Sequence, residues 1–184
     1  AIPVEPGNGQ IVVTGIMEEE EMGGYGRTMR RKSMAKSSME NVITVLRRNF
    51  HLRPQDYDIH VNFPGSIPVD GPSAGAAIVT AIYSAITGRK VSNVVAMTGE
   101  VSIRGLVKPV GGIVPKLEAA RLAGVKRAII PKENWQASFA NMEGMVVHGV
   151  ECLEEVIALA LLDDEKCPQL SKGTVSSGLL SASG

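Results

Sequence analysis

The chain has 184 residues, no net charge, and ordinary globular proportions of hydrophobic (44%) and charged (21%) residues. This length fits one domain with a proper core. The balance of 19 basic and 19 acidic residues argues against nucleic acid as a partner, because phosphate binding usually needs a basic excess. Its two cysteines have neither disulfide-framework nor metal-ligand spacing. No segment reaches the roughly 18 apolar residues of a membrane span, so we expect a cytoplasmic protein without membrane contacts.

Local patterns predict strands and helices that follow one another without internal repeats. Strands are predicted at 10–16, at 57–63, at 93–107 (two strands, paired as a hairpin about Gly99), at 127–131 and at 145–150. Amphipathic or apolar segments bounded by Pro or Gly predict helices at 33–50, 72–88, 115–123 and 152–162. This order indicates an α/β domain of the mixed (α+β) kind, a single compact unit with mixed sheets and packed helices.

Composition divides the chain into three segments. Residues 1–9 are predicted to be an N-terminal linker, residues 10–163 the folded domain, and residues 164–184 a polar, flexible C-terminal tail rich in Ser and Gly. Within the domain, the acidic run at 18–21 and the basic run at 27–36 are predicted to form a solvated surface, because their charges compensate one another. The sequence does not begin with Met, so we expect it to be a piece of a longer protein.

The segment PVDGPSAG (68–75) places a serine at the start of a predicted helix. Pro72 suits a first turn, where its missing N–H costs little. Free backbone N–H groups and the positive end of the helix dipole surround Ser73 there, which makes Pro72, Ser73 and Ala74 a candidate oxyanion region for acyl transfer. The same geometry suits anion binding or simple helix capping. A nucleophile, an anion site and a cap therefore stay open as interpretations.

A nucleophilic serine needs a base. The histidines, His51, His60 and His148, occupy surface or strand positions that do not mark any of them as catalytic. Lys116 lies in the first turn of a predicted helix, and the residues around it at helical spacing are uncharged, which favours a neutral amine. The alternative is a lysine whose stem packs on the core while its amine reaches water. Both interpretations of Lys116 stay open.

The middle of the chain carries three motifs in a characteristic order: PVDGPSAG (68–75), MTGEVSIRGLVKPVGGIVPKLEAARLAG (97–124) and AIIPKEN (128–134). Together they resemble the proteolytic domain of the Lon proteases. The resemblance implies a Ser–Lys dyad endopeptidase with Ser73 as nucleophile and Lys116 as general base. Such a domain degrades unfolded or damaged proteins by acyl transfer, and we expect the substrate to lie extended against a sheet edge.

The same resemblance implies further site residues and partners. A threonine that hydrogen-bonds the catalytic lysine maps to Thr98. The acid before Gly-Pro-Ser maps to Asp70, which either orders its loop or pairs with Lys116. The family also assembles as homo-hexameric rings, and an upstream ATPase domain of the same polypeptide couples proteolysis to ATP.

Two departures from the most familiar bacterial pattern are visible. Val69 replaces a lysine, and the strand at 60–62 reads His-Val-Asn instead of His-x-His, which indicates the B-like branch. No GxxxxGK[ST] phosphate loop occurs in these residues, so we expect no cofactor in this domain and place ATP and Mg in an ATPase region outside it. Two alternatives remain: a non-catalytic Lon-like assembly or binding module, and a phosphate-binding enzyme. The presence of both Ser73 and Lys116 argues against the first alternative.

Overall fold

A computed structural model describes residues 1–15, 21–24, 27–30, 34–63 and 72–162. Its strands are β1 (Ile2–Pro3), β2 (Ile11–Gly15), β3 (Glu21–Gly24), β4 (Arg27–Arg30), β5 (Tyr57–Phe63), β6 (Val95–Met97), β7 (Glu100–Val101), β8 (Val107–Lys108), β9 (Arg127–Pro131) and β10 (Val146–Val150). Its α-helices are α1 (Met34–Phe50), α2 (Gly75–Thr87), α3 (Ile113–Leu122) and α4 (Leu153–Ala160). Short 3₁₀ turns cover Pro54–Asp56, Pro72–Ala74, Lys132–Asn134 and Ala137–Asn141. The predicted mixed α/β fold class is confirmed.

Two three-stranded sheets form the framework of the described residues. In the first sheet β5 lies in the middle, parallel to β2 and antiparallel to β1, so that Ile2 pairs opposite Asp58. In the second sheet β9 lies between β10 and β6, and all three strands are parallel. β9 reads as an unbroken apolar run after Arg127, as expected for the central strand of a parallel sheet that is covered on both faces.

β9 separates two hydrophobic clusters, because its side chains alternate between the faces of the sheet. Ile129 packs into the larger cluster, which contains most of the buried apolar side chains of α1, α2 and α4. Ala128 and Ile130 point the other way, into a smaller cluster that holds α3. The second sheet therefore carries α2 on one face and α3 on the other, and this arrangement positions the site described below.

The hairpin predicted about Gly99 is wrong. β6 pairs with β9, whereas β7 forms its own short hairpin with β8. The chain crosses between these partners at Thr98, whose N–H donates to the Ile129 carbonyl at 3.1 Å. Gly99 serves close packing, because a Cβ built there would lie 2.5 Å from Cγ1 of Val107. β6 and β7, which are adjacent in the sequence, thus belong to different sheets.

The other predicted strands and helices are found within a few residues of the predicted bounds. The antiparallel pair β3–β4, for which no strand was predicted, includes the last residue of the acidic run at 18–21 and the first four residues of the basic run at 27–36. Residues of the predicted linker contribute β1. No helix in the part of the chain that the structure describes is long and apolar enough to cross a membrane. The predicted tail at 164–184 lies outside the described residues.

Candidate active site

A cavity of about 300 Å³ opens between α2, α3 and the strands β6 and β9. Its wall is mainly small and aliphatic, and it contains one lysine and two hydroxyl side chains. The lining residues are Ser73, Ala74, Ala77, Ala96, Met97, Thr98, Ile113, Lys116, Leu117, Ala120, Ala128, Ile129 and Ile130. The structure thus gathers Ser73, Thr98 and Lys116 from three separate segments into one apolar cavity.

Ser73 lies in a 3₁₀ turn, and the α-helix that follows begins only at Gly75. The prediction that Pro72 opens the α-helix is therefore corrected by one short turn. The N-cap of α2 is Ala74, which makes no side-chain cap hydrogen bond, so Ser73 is not a helix cap. The Ser73 carbonyl accepts hydrogen bonds from the Gly99 N–H at 2.9 Å and from Thr98 Oγ1 at 3.2 Å. These bonds hold the serine against the crossover at the end of β6.

Gly75 allows this turn to approach the neighbouring hairpin closely. A Cβ built on Gly75 would lie 3.0 Å from Cγ2 and 3.1 Å from the backbone N of Val101. The Ala76 N–H also donates to the Gly99 carbonyl at 3.1 Å. The small residues after Ser73 are therefore needed for packing, whatever the serine does chemically.

Lys116 approaches the serine through Thr98. Its Nζ donates to Thr98 Oγ1 at 3.5 Å, and this hydroxyl in turn donates to the Ser73 carbonyl at 3.2 Å. Among the described residues no hydrogen bond joins Ser73 Oγ directly to Lys116 Nζ. The predicted support residue Thr98 therefore lies between the two members of the predicted dyad. Asp70 and its loop lie outside the described residues.

Lys116 is exposed, although its neighbours at helical spacing are apolar. The helix that carries it buries only two of its side chains, Ile113 and Leu117. Lys116 lines the apolar cavity, its Nζ donates to Thr98 Oγ1, and the residue as a whole is exposed. This arrangement corresponds to the second of the two interpretations of its sequence, an apolar stem with an amine in water.

The three histidines lie away from the cavity wall. His51 follows α1 with a positive φ of 53°, and His60 Nε2 lies 2.8 Å from Thr14 Oγ1 on the first sheet. His148 is half-buried on β10, and burial, followed by the charge of Arg127, lowers its pKa. None of the three is within the lining of the cavity that contains Ser73.

Sequence reasoning missed the wall of the cavity. Ala77, Ala96 and Ala128 come from α2, β6 and β9, and they surround the space next to Ser73 and Lys116. Alanines in a helix or strand carry no recognisable signal, and only the sheet order brings these three together. Among the described residues no group of three or more His, Cys, Asp or Glu side chains is arranged to hold a metal ion.

Comparison with known proteins gives consistent matches. The family model of the Lon protease (S16) C-terminal proteolytic domain matches residues 2–163. Lon protease 2 of Bacillus subtilis (strain 168) is 53% identical over 149 residues, which cover 81% of this chain and 27% of that protein. Lon protease of Halothermothrix orenii is 39% identical over 170 residues, covering 89% of this chain and 21% of that protein. The chain therefore spans only about a quarter of the length of these relatives.

Proposed function

Since the chain belongs to the family of Lon protease C-terminal proteolytic domains, we propose that it is a serine endopeptidase that works through a Ser–Lys dyad. The observation that carries the proposal is the shared cavity of Ser73 and Lys116, with Thr98 hydrogen-bonded toward both. An apolar cavity that holds a hydroxyl beside an amine suits nucleophilic catalysis with a lysine base.

The proposed reaction is acyl transfer in two halves. The neutral amine of Lys116 accepts the proton of Ser73 Oγ, and Oγ forms a bond to the carbonyl carbon of the substrate peptide. The tetrahedral intermediate collapses, the C–N bond breaks, and protonated Lys116 gives its proton to the departing amine. Water then attacks the acyl-enzyme while Lys116 takes its proton, and the acyl–Oγ bond breaks as Lys116 gives that proton to Ser73 Oγ, which restores the serine hydroxyl and the neutral amine.

In this proposal, substrate binding changes the environment of the Lys116 amine from wet to dry. The free amine is exposed, and its only hydrogen-bond partner among the described residues is Thr98 Oγ1. A peptide that covers the cavity excludes the water that stabilises the charged amine, which favours the neutral base. Thr98 then accepts a hydrogen bond from the amine and orients it without adding a charge.

The proposed oxyanion donors are the backbone N–H groups of Ser73 and Ala74. Both lie in the 3₁₀ turn Pro72–Ala74, which directly precedes α2 and whose N–H groups lack intrahelical acceptors. Pro72, the third residue of the predicted oxyanion region, has no N–H and instead fixes the start of the turn. The dipole of α2 adds positive potential at the same point.

The proposed substrate is an unfolded polypeptide that adds a strand to the edge of β6. β6 is an outer strand of its sheet within the described residues, and it leads directly into Thr98. Backbone pairing at this edge would deliver a peptide carbonyl to Ser73, and the apolar cavity would receive one apolar side chain. A bound peptide that pairs with no strand would remove this part of the proposal.

A longer polypeptide is the proposed setting of this domain. The relatives that match it are three to five times longer, which supports an upstream ATPase region that uses ATP and Mg. We include in the proposal a hexameric ring, a cytoplasmic location and a role in protein quality control. No cofactor is proposed for the domain itself.

A non-catalytic Lon-like assembly or binding module is the second candidate function. It is favoured by the exposure of Lys116 and by the missing direct hydrogen bond to Ser73 within the described residues. It is opposed by the presence of both residues at one cavity. The two candidates differ in a single measurable property, which is peptide cleavage that depends on Ser73 and Lys116.

The experiment is cleavage of a short unstructured fluorogenic peptide by this chain without ATP. Ser73→Ala and Lys116→Ala should each abolish cleavage, whereas the exposed controls Ser138→Ala and Lys126→Ala should retain it. Cleavage that survives in either site variant contradicts the dyad. If the wild type is inactive here and also in the full-length protein with ATP, the binding-module candidate is favoured.

A further inference from the structure

We propose that Asn134 is a positioning residue for Lys116, acting through the loop that leads into α3. This inference rests on the proposed function of Lys116. Asn134 ends the 3₁₀ turn that follows β9, and it is half-buried. Its side-chain Oδ1 accepts from the Val110 N–H at 2.9 Å, and its Nδ2 donates to the Val110 carbonyl at 3.1 Å.

This paired contact satisfies both backbone polar groups of one residue with one side chain. A primary amide can do so because it carries a donor and an acceptor side by side, as a neighbouring β-strand does. Two bonds to one residue fix the orientation of the backbone as well as its distance. Val110 also packs against the smaller cluster, so the peptide held by Asn134 is anchored on its apolar side too.

The loop beyond Val110 has little rigidity of its own. Only Gly111 and Gly112 separate Val110 from α3, and Gly112 takes a left-handed φ of 67°. Glycine is the residue with the greatest backbone freedom. α3 begins without a side-chain cap, and its buried residues are Ile113 and Leu117 alone. The start of α3 is therefore held by few contacts, and the Asn134–Val110 pair fixes the last residue before the two glycines that lead into it.

β9 links this contact to the other side of the site. Thr98 is tied to β9 by its hydrogen bond to the Ile129 carbonyl, and Asn134 follows the C-terminal end of the same strand. One strand thus sets the position of both the hydroxyl and the loop that carries the amine. The bond from Lys116 Nζ to Thr98 Oγ1 is 3.5 Å long, at the outer limit of a hydrogen bond. A small displacement of α3 is enough to break it.

The test compares Asn134→Ala and Asn134→Asp with the exposed control Asn93→Ala. Asn134→Ala removes both bonds, whereas Asn134→Asp keeps the acceptor for the Val110 N–H and loses the donor to its carbonyl. We expect kcat for peptide cleavage to fall by about 10- to 100-fold in Asn134→Ala, with KM within about twofold of the wild type, because small misplacements of catalytic groups have effects of this size. Asn134→Asp should lie between Asn134→Ala and the wild type, and Asn93→Ala should match the wild type.

Hydrogen exchange of the backbone amides provides the readout that does not depend on activity. Asn134→Ala should speed exchange at 110–116 and leave α2 and α4 unchanged. Faster exchange, together with a wild type that is inactive both as this chain and in the full-length protein with ATP, would retain the positioning role and reject the proposed function. An unchanged exchange rate at 110–116, or, where the wild type is active, an Asn134→Ala kcat equal to that of the wild type, would overturn the role of Asn134. An even rise in exchange throughout the chain would also overturn it, because that result marks a general loss of stability.

Discussion

Thr98→Val is the substitution that best tests whether the Thr98 hydroxyl orients the Lys116 amine or only stabilises the fold. Valine keeps the branched shape of threonine and removes only the hydroxyl. In the structure that hydroxyl accepts from Lys116 Nζ at 3.5 Å and donates to the Ser73 carbonyl at 3.2 Å. The substitution therefore breaks the chain of contacts between the two proposed dyad residues without opening a cavity.

The expected loss of stability is small. The Ser73 carbonyl keeps its 2.9 Å hydrogen bond from the Gly99 N–H, so no buried acceptor is left without a donor. Loss of one ordinary hydrogen bond costs about 0.5–1.5 kcal/mol. The expected loss of activity is larger, because the Lys116 amine loses its only hydrogen-bond partner among the described residues. A poorly oriented base should lower kcat by roughly 10- to 100-fold.

The assay measures kcat and KM on the fluorogenic peptide, together with the free energy of unfolding in urea. Thr98→Ser, which retains the hydroxyl, is the matched control and should keep most of the wild-type kcat. A Thr98→Val variant with wild-type kcat would refute the orienting role of the hydroxyl. Equal losses of kcat in Thr98→Val and Thr98→Ser would refute it as well, because only one of the two lacks the oxygen.

Three further predictions concern the framework of the site. In urea titrations, Leu117→Ala should lower the free energy of unfolding by about 2–5 kcal/mol, because Leu117 is only 2% exposed. Leu122 lies on the same helix but is 78% exposed, so Leu122→Ala should change that free energy by less than about 0.5 kcal/mol. In the same titrations, Gly75→Ala should lower the free energy of unfolding by about 1–3 kcal/mol, since the new Cβ would lie 3.0 Å from a buried side chain. A Cβ on Gly111 would meet nothing within 4 Å, so Gly111→Ala should leave the free energy of unfolding unchanged. Burial and a nearby arginine lower the pKa of His148, so the folded state binds its proton less readily than the unfolded state, and stability should fall as the pH drops below about 6.5. His148→Asn should flatten that fall between about pH 7.5 and pH 5, and an unchanged slope would contradict the assignment.

The helices were predictable because their signals are local. The apolar spacing of α1 and the glycine after α2 are both visible in short windows of the sequence. That glycine, Gly88, ends α2 with a φ of 73°. Strand pairing was not predictable in the same way. β6 and β7 lie close together in the chain, but β6 pairs with the apolar β9, which lies about 30 residues further along. That choice depends on the whole sheet and on the room left at Gly99.

The candidate site shows the same difference between what local sequence indicates and what long-range packing determines. Ser73, Thr98 and Lys116 lie in motifs that the sequence displays, and the structure brings all three to one cavity. The sequence left the exposure of Lys116 open, because it depends on how few side chains α3 buries. The contact between Asn134 and Val110 was equally hidden, since it joins residues 24 positions apart through one side chain. Local pattern together with the family resemblance thus identified the chemical groups, and tertiary packing determined how they are held.

The most direct measurement of the proposed dyad is covalent labelling of Ser73 by a fluorophosphonate, followed by peptide mapping with mass spectrometry. A serine becomes reactive toward such a probe only when a neighbouring base activates its hydroxyl. We predict a single adduct on Ser73, absent in Ser73→Ala and formed at least about tenfold more slowly in Lys116→Ala. An adduct that forms on Ser73 at the same rate with and without Lys116 would contradict the proposed role of the lysine as the base.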